Sequence, residues 1–232
     1  MSSESRVIRL FTFRPARMAF DTILRREMVP ALLDLPGLLD LYAGRQGPAE
    51  LGPRLVATVW ADREAMSAGV GDSFEEPVFL PEHLEETEDR MLEILPLSFG
   101  YRFAAADRSA IVRLVSGSVR AGAFDRYVDQ ARAGTLADAA AGRGPIALYL
   151  ARRTDERFVT LSVWRDWPTL QEATGGAIDQ PIATRHAALL VSWGVEHYEG
   201  IVDLLAPTPS LAASTDEGNR RGRSGGAETV IG

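Results

Sequence analysis

Three pairs of side chains, recurring in the two halves of the chain, are able to do chemistry. His83 and His186 each stand four residues after an apolar residue, Phe79 and Ile182. A neutral imidazole there could ligate iron, or act as a general base on a phenolic or carbon-acid proton. Trp60 and Trp164 each end a β-branched stretch, and their flat rings could stack on an aromatic ligand. Tyr42 and Tyr149 could orient a ligand oxygen through their hydroxyls. We read His83 as the candidate base, with Trp60, Tyr42, Phe79 and Phe20 around the substrate. His186, Trp164 and Tyr149 form a secondary site. Each has a structural alternative: a solvated helix histidine, a core tryptophan, a half-buried strand tyrosine. His197, on the last strand, reads as an edge residue.

The stretches that carry these residues repeat. Leu55-Val56-Ala57-Thr58-Val59-Trp60-Ala61-Asp62 is echoed by Val159-Thr160-Leu161-Ser162-Val163-Trp164-Arg165-Asp166, at an offset of 104 between the two Trp residues (164 − 60). Val7-Ile8-Arg9-Leu10 meets Ile111-Val112-Arg113-Leu114 at the same offset, and Phe20-Asp21 meets Phe124-Asp125. Self-similarity at a fixed period is the mark of a duplicated unit. We divide the chain into a frayed start (1–5), unit 1 (6–104), a linker (105–109), unit 2 (110–205) and a disordered tail (206–232).

Periodicity supplies the elements of each unit. In unit 1 we expect strands over 6–13, 38–45, 55–60 and 96–103, a helix over 16–35 kinked at Pro30, a short helix over 63–68, and a carboxylate-rich helix over 77–95. In unit 2 we expect strands over 110–117, 146–152, 157–165 and 191–203, with helices over 121–133, 167–173 and 179–190. The order β-α-β-β-α-β is ferredoxin-like: one antiparallel sheet with its helices on one face. The bare faces of two such sheets can cover each other within one chain. The fold class is therefore α+β, two tandem ferredoxin-like units packed sheet to sheet as an intramolecular α/β barrel.

Composition narrows the chemistry. There is no Cys, and all 25 basic residues are Arg. This removes disulfides, thiolate nucleophiles, Cys-held metals and lysine Schiff bases. A formal charge of −7 argues against nucleic acid as a partner. No apolar run approaches a membrane span, and no basic-then-apolar start suggests secretion. We expect a cytoplasmic protein, monomer or homodimer, that touches no membrane. No P-loop, GxGxxG or GxSxG motif supports a nucleotide or serine-hydrolase reading.

Pro36-Gly37-Leu38 followed by Tyr42-Ala43-Gly44-Arg45, then Thr58-Val59-Trp60 with Asp62-Arg63-Glu64-Ala65-Met66, then Val78-Phe79 leading to His83, resemble the antibiotic-biosynthesis-monooxygenase-like group of the dimeric α/β-barrel superfamily. The resemblance spans 6–104 and, more weakly, 110–204. It implies a small-molecule pocket between sheet and helices, and a cofactor-free monooxygenase acting on an aromatic or polycyclic substrate. The alternatives are a non-catalytic ligand-binding or interaction module, and a haem-binding protein using a helix histidine. The haem-degrading branch of this group matches at Val78-Phe79 and His83 only. Its strand Asn falls at Thr12 to Arg14, where no Asn stands, and its second Trp falls near Gly69 or Gly71. The better-patterned first helix and the closer match around His83 mark unit 1 as the working unit, with unit 2 as scaffold.

Overall fold

The computed structural model describes residues 6–72, 85–107, 110–182 and 187–201. His83, Phe79, His186 and the tail over 206–232 lie outside the described residues.

Eight strands form one closed barrel. Unit 1 contributes β1 (Val7–Pro15), β2 (Leu38–Arg45), β3 (Arg54–Trp60) and β4 (Thr87–Arg102). Unit 2 contributes β5 (Ile111–Val119), β6 (Ala147–Arg152), β7 (Arg157–Trp164) and β8 (Leu190–Gly200). The order around the barrel is β1-β3-β2-β8-β5-β7-β6-β4. Each unit is thus a four-stranded antiparallel sheet, and the two join edge to edge where β2 meets β8 and β4 meets β6. Closure removes the unpaired edges that two separate sheets would expose.

Alternation along the strands sorts the side chains to two faces. Ile8, Leu10, Leu55, Ala57 and Val59 of unit 1 join Val112, Leu114, Val159, Leu161 and Val163 of unit 2 in one buried cluster. This is the barrel interior, and burying each such side chain stabilises the fold by about 1.5–3 kcal/mol. The opposite face carries the helices. In unit 1 these are α1 (Phe20–Ile23), a π-helical stretch (Leu24–Met28), α2 (Val29–Leu33) and α3 (Arg63–Val70). In unit 2 they are α4 (Phe124–Ala140) and α5 (Trp167–Thr174). None of these is long and apolar enough to cross a membrane.

The duplication is visible in detail. Val7 pairs with Trp60 as Ile111 pairs with Trp164. The Trp60 indole N–H donates to Thr58 Oγ1 at 2.9 Å, and that of Trp164 to Ser162 Oγ at 3.0 Å. Asp62 and Asp166 cap the helices that follow, accepting from Ala65 N and Thr169 N.

Several expected elements differ. The kink at Pro30 is instead a π-helical stretch just ahead of it. A proline ring clashes with the carbonyl four residues back in a regular α-helix, and a widened turn relieves that clash. Of the helix expected over 77–95, the part from Thr87 onward is strand, paired with β1 from Pro15↔Thr87 to Val7↔Pro96. Leu92 and Ile94 pack against the helix-side core of unit 1 while Leu95 and Leu97 enter the barrel, a period of two rather than 3.6. The helix expected over 179–190 is not formed over 179–182, and Ala187–Leu189 is a single 3-10 turn before β8. In unit 2 the first helix runs on to Ala140 rather than ending near 133, because its alanines are the strongest helix formers.

One polar network crosses the barrel interior between the units. Tyr149 Oη donates to Asp40 Oδ2 at 2.5 Å and lies 3.1 Å from Tyr42 Oη, while Arg102 Nη1 pairs with Asp40 Oδ1 at 2.7 Å. Burial pushes the Asp40 carboxyl above its ordinary value, against the opposing pull of Tyr149 and Arg102. A carboxyl whose pKa is raised by folding contributes stability fully below its unfolded value, near 3.8, and loses it as pH rises through the folded value. The unfolding free energy of the wild type minus that of Asp40→Asn should therefore fall from about pH 4 upward. A flat difference across urea titrations at several pH values would contradict this.

Candidate functional site

A cavity of about 570 Å³ lies in unit 2, between the outer face of the sheet and helices α4 and α5. Its helical wall is Ala131, Gly134, Thr135 and Asp138, spaced three, four and seven apart on one face of α4. Its floor includes Val115, Leu150, Phe158 and Trp164. Small residues on the helix leave the space open, and the sheet cannot close it because its twist is set by the barrel.

In unit 1 the described residues of the corresponding layer pack closely. Phe11, Phe13, Phe20, Leu24, Met28 and Trp60 pack there in one cluster, each at most 2% exposed. At the repeat offset Phe11 becomes Val115 and Leu24 becomes Val128, so bulk is lost from both sides. A cross-strand exchange adds to this: Phe13 faces Arg54 in unit 1, whereas Gly117 faces Phe158 in unit 2. A Cβ at Gly117 would come within 2.7 Å of the Phe158 ring, so position 117 must be glycine. Among the described residues the open space belongs to unit 2; the expectation that unit 1 is the working unit rests on His83 and Phe79, which lie outside them.

The cavity is mixed in character: apolar side chains such as Val115, Leu148 and Ile182 stand beside Arg113, Tyr127, Thr135, Thr160 and Ser162. The Ser162 hydroxyl accepts from Trp164 and faces the Arg113 carbonyl at 3.4 Å, so Ser162 and the Trp164 N–H serve each other and the backbone. Arg113 is buried on the helix side of β5 and donates through Nε and Nη2 to the carbonyls of Ile178 and Gln180. Burial pulls the Arg113 guanidinium down to about 10, still charged at neutral pH. Burial also pushes the Tyr127 hydroxyl well above its ordinary value, with Thr160 and Arg113 opposing, so Tyr127 remains a protonated donor. Asp138 and Glu172 are the carboxylates at the wall and rim.

The residues singled out from sequence are not all brought together. Trp60 and Phe20 do share the helix-side core of unit 1, both fully buried. Tyr42 stands on the opposite face of the same sheet, inside the barrel, and cannot reach a ligand that touches Trp60. Unit 2 repeats this: Trp164 lines the cavity, but Tyr149 points into the barrel. His197 is placed with Nδ1 3.7 Å from Asp179 and its ring 5.4 Å from Trp167, away from the cavity lining. Arg113, Tyr127 and Thr160 were missed. A charged residue repeated inside an otherwise apolar strand, Arg9 and Arg113, was the available signal.

Among the described residues the cavity lining includes no His, Cys or Met, and the helix histidine of the haem alternative, His83, lies outside them. No group of three or more His, Cys, Asp or Glu that could hold a metal ion occurs among the described residues.

No known protein family matches the sequence, and no curated protein matches it either. Solved structures do match. A candidate monooxygenase from Lactobacillus acidophilus superposes with TM-score 0.63 at 11% identity, covering 88% of this chain and 100% of its own. A candidate monooxygenase from Fusobacterium nucleatum gives 0.67 at 8%, covering 87% and 94%. An anthrone oxidase-like protein gives 0.54 at 16%, covering 90% and 98%. At these identities the likeness is one of architecture: the chain has the two-unit, ferredoxin-like α/β-barrel fold of monooxygenase-like proteins.

Proposed function

We propose that this protein binds a small, flat, mainly apolar molecule, aromatic or polycyclic, in the cavity of unit 2 and oxidises it directly with dioxygen, with no bound cofactor. The carrying observation is the cavity itself: about 570 Å³ of open space in unit 2, at a layer where the described residues of unit 1 pack into one buried cluster. Concave sites that combine apolar surface with placed polar groups are how proteins hold small ligands. The likeness in fold to an anthrone oxidase-like protein and to candidate monooxygenases supports the oxidative part.

Three groups have defined roles in this reading. Val115 and Leu148 offer apolar surface to the ring system. Tyr127 donates to a ligand oxygen, and the Arg113 charge favours the ligand's deprotonated, electron-rich form. In an anthrone-type substrate the ring methylene becomes a carbonyl. One oxygen atom of dioxygen enters the product, and the other leaves as water with the two methylene hydrogens.

An oxygen electrode with an anthrone substrate tests the reading. We expect one dioxygen consumed per quinone formed, at a rate proportional to protein. Binding without oxygen uptake across a varied phenol panel would make the protein a binding module. Absence of binding as well would overturn the assignment of the cavity.

A further inference from the structure

The two repeats hold the same buried arginine in different company. Arg9 of unit 1 lies under an aromatic neighbour, its guanidinium carbon 5.6 Å from the centre of the Phe11 ring. In unit 2 that neighbour is Val115, and both Arg113 and Val115 line the cavity. In unit 2 no phenyl ring covers the guanidinium, although both arginines stay buried, 2% exposed at Arg9 and 3% at Arg113.

The hydrogen bonds of Arg113 define which part is uncovered. A guanidinium has five N–H groups. Nε donates to the Ile178 carbonyl at 3.2 Å, and Nη2 to Ile178 and Gln180. These bonds fix the side chain and aim it. Nη1 has no protein acceptor among the described residues, and it is not sealed away from the cavity. Two N–H donors on a cation are therefore presented, pre-oriented, to whatever enters.

The charge is not neutralised at contact range. Its partners are neutral carbonyls. Asp179 acts on it only through space, its side chain 78% exposed and turned to His197. At the rim Arg143 and Arg165 face Asp138 and Glu172, two charges of each sign. The Arg113 charge is thus left over, on a side chain only 3% exposed, where a charge is poorly solvated.

We propose that the ligand of this cavity is an organic anion, a flat apolar body bearing one acidic group such as a carboxylate or sulfonate, with that group seated on Nη1 of Arg113. This rests on the reading of the cavity as a ligand site and adds the charge of the ligand to it. The apolar body then lies against Val115 and Leu148, and the small face of α4 leaves room for it. A charge-assisted hydrogen bond to a fixed guanidinium is stronger than a neutral one, and the burial of Arg113 strengthens it further.

Two dyes of nearly the same shape test this on the full chain by fluorescence titration: anilinonaphthalene sulfonate, an anion, and phenylnaphthylamine, its uncharged parent. We expect the anion to bind at least about tenfold tighter. Arg113→Met should remove that advantage while changing the neutral dye by less than about threefold. Val115→Phe recreates the arrangement of unit 1 without touching the arginine or the carbonyls it holds. It should weaken the anion more than the neutral dye. Gly134→Trp, which occupies the cavity, should abolish both signals. Equal affinity for the two dyes, or an anion preference that survives Arg113→Met and Val115→Phe, would overturn the anion proposal and leave the cavity standing. Dye binding that survives Gly134→Trp would show that both sit elsewhere, and the cavity reading itself would fall.

Discussion

Trp60→Ala should destabilise the protein by about 3–5 kcal/mol, the range for deleting a large buried ring. The indole is fully buried and packs with Met66 and Val70 in the helix-side core of unit 1. The space it would vacate cannot collapse cheaply. A Cβ placed on Gly69 would already stand 3.2 Å from the ring, so α3 lies directly against it, and the strand beneath is held on both sides by β1 and β2. The substitution also strips Thr58 Oγ1 of its donor. Domains of this kind are stable by only about 5–15 kcal/mol, so the effect takes a large share of the total. Trp164→Ala provides the comparison. Its ring already borders the cavity, so its removal enlarges an existing space rather than opening a dry one. We expect it to be milder by about 1 kcal/mol or more. Urea unfolding of both variants checks the order; equal losses would mean that the unit 2 cavity is closed and packed.

Gly134→Trp should reduce ligand affinity at least a hundredfold, about 2.7 kcal/mol, without lowering stability. Gly134 lies inside α4 and faces the cavity, and nothing stands within 4 Å of where its Cβ would be. An indole there occupies the volume a ligand needs. Replacing a mid-helix glycine also removes a local penalty of up to about 1 kcal/mol, so thermal stability should hold or rise. Opposite movements of binding and stability separate a filled site from a damaged fold. Weaker binding together with a lower melting temperature would fail this prediction, as would unchanged binding.

Duplication and fold were legible in the chain because they depend on local pattern. Strand stretches ending in Trp-x-Asp recur with the cap residue in place, and Asp62 and Asp166 perform the same capping bond. The alternation that divides Leu55, Ala57 and Val59 from Val56, Thr58 and Trp60 is the division between barrel interior and helix side. Less legible was the polar run before Pro96. Its acidic residues suit a solvated helix face, and only the need of β1 for a partner along its length makes Thr87–Arg102 a strand.

The site was less legible still. Sequence placed a Trp and a Tyr in each half as joint ligand contacts, and each residue type was reasonable for that work. A sheet has two faces, however, and strand register alone decides which residues share one. Tyr42 and Tyr149 meet across the barrel, 3.1 Å apart, while the tryptophans lie behind them. Where the cavity lies was also beyond the sequence. The alanine- and glycine-rich helix of unit 2 read as a weakened element, because a one-dimensional pattern shows lost bulk without showing what the loss leaves open. Only packing against the sheet turns small helix residues into space, and only the fold sets a buried strand arginine beside that space. Local propensity and period act between neighbours in the chain and so could be read from it. A cavity is the volume that distant side chains fail to fill, and it exists only once they are brought together.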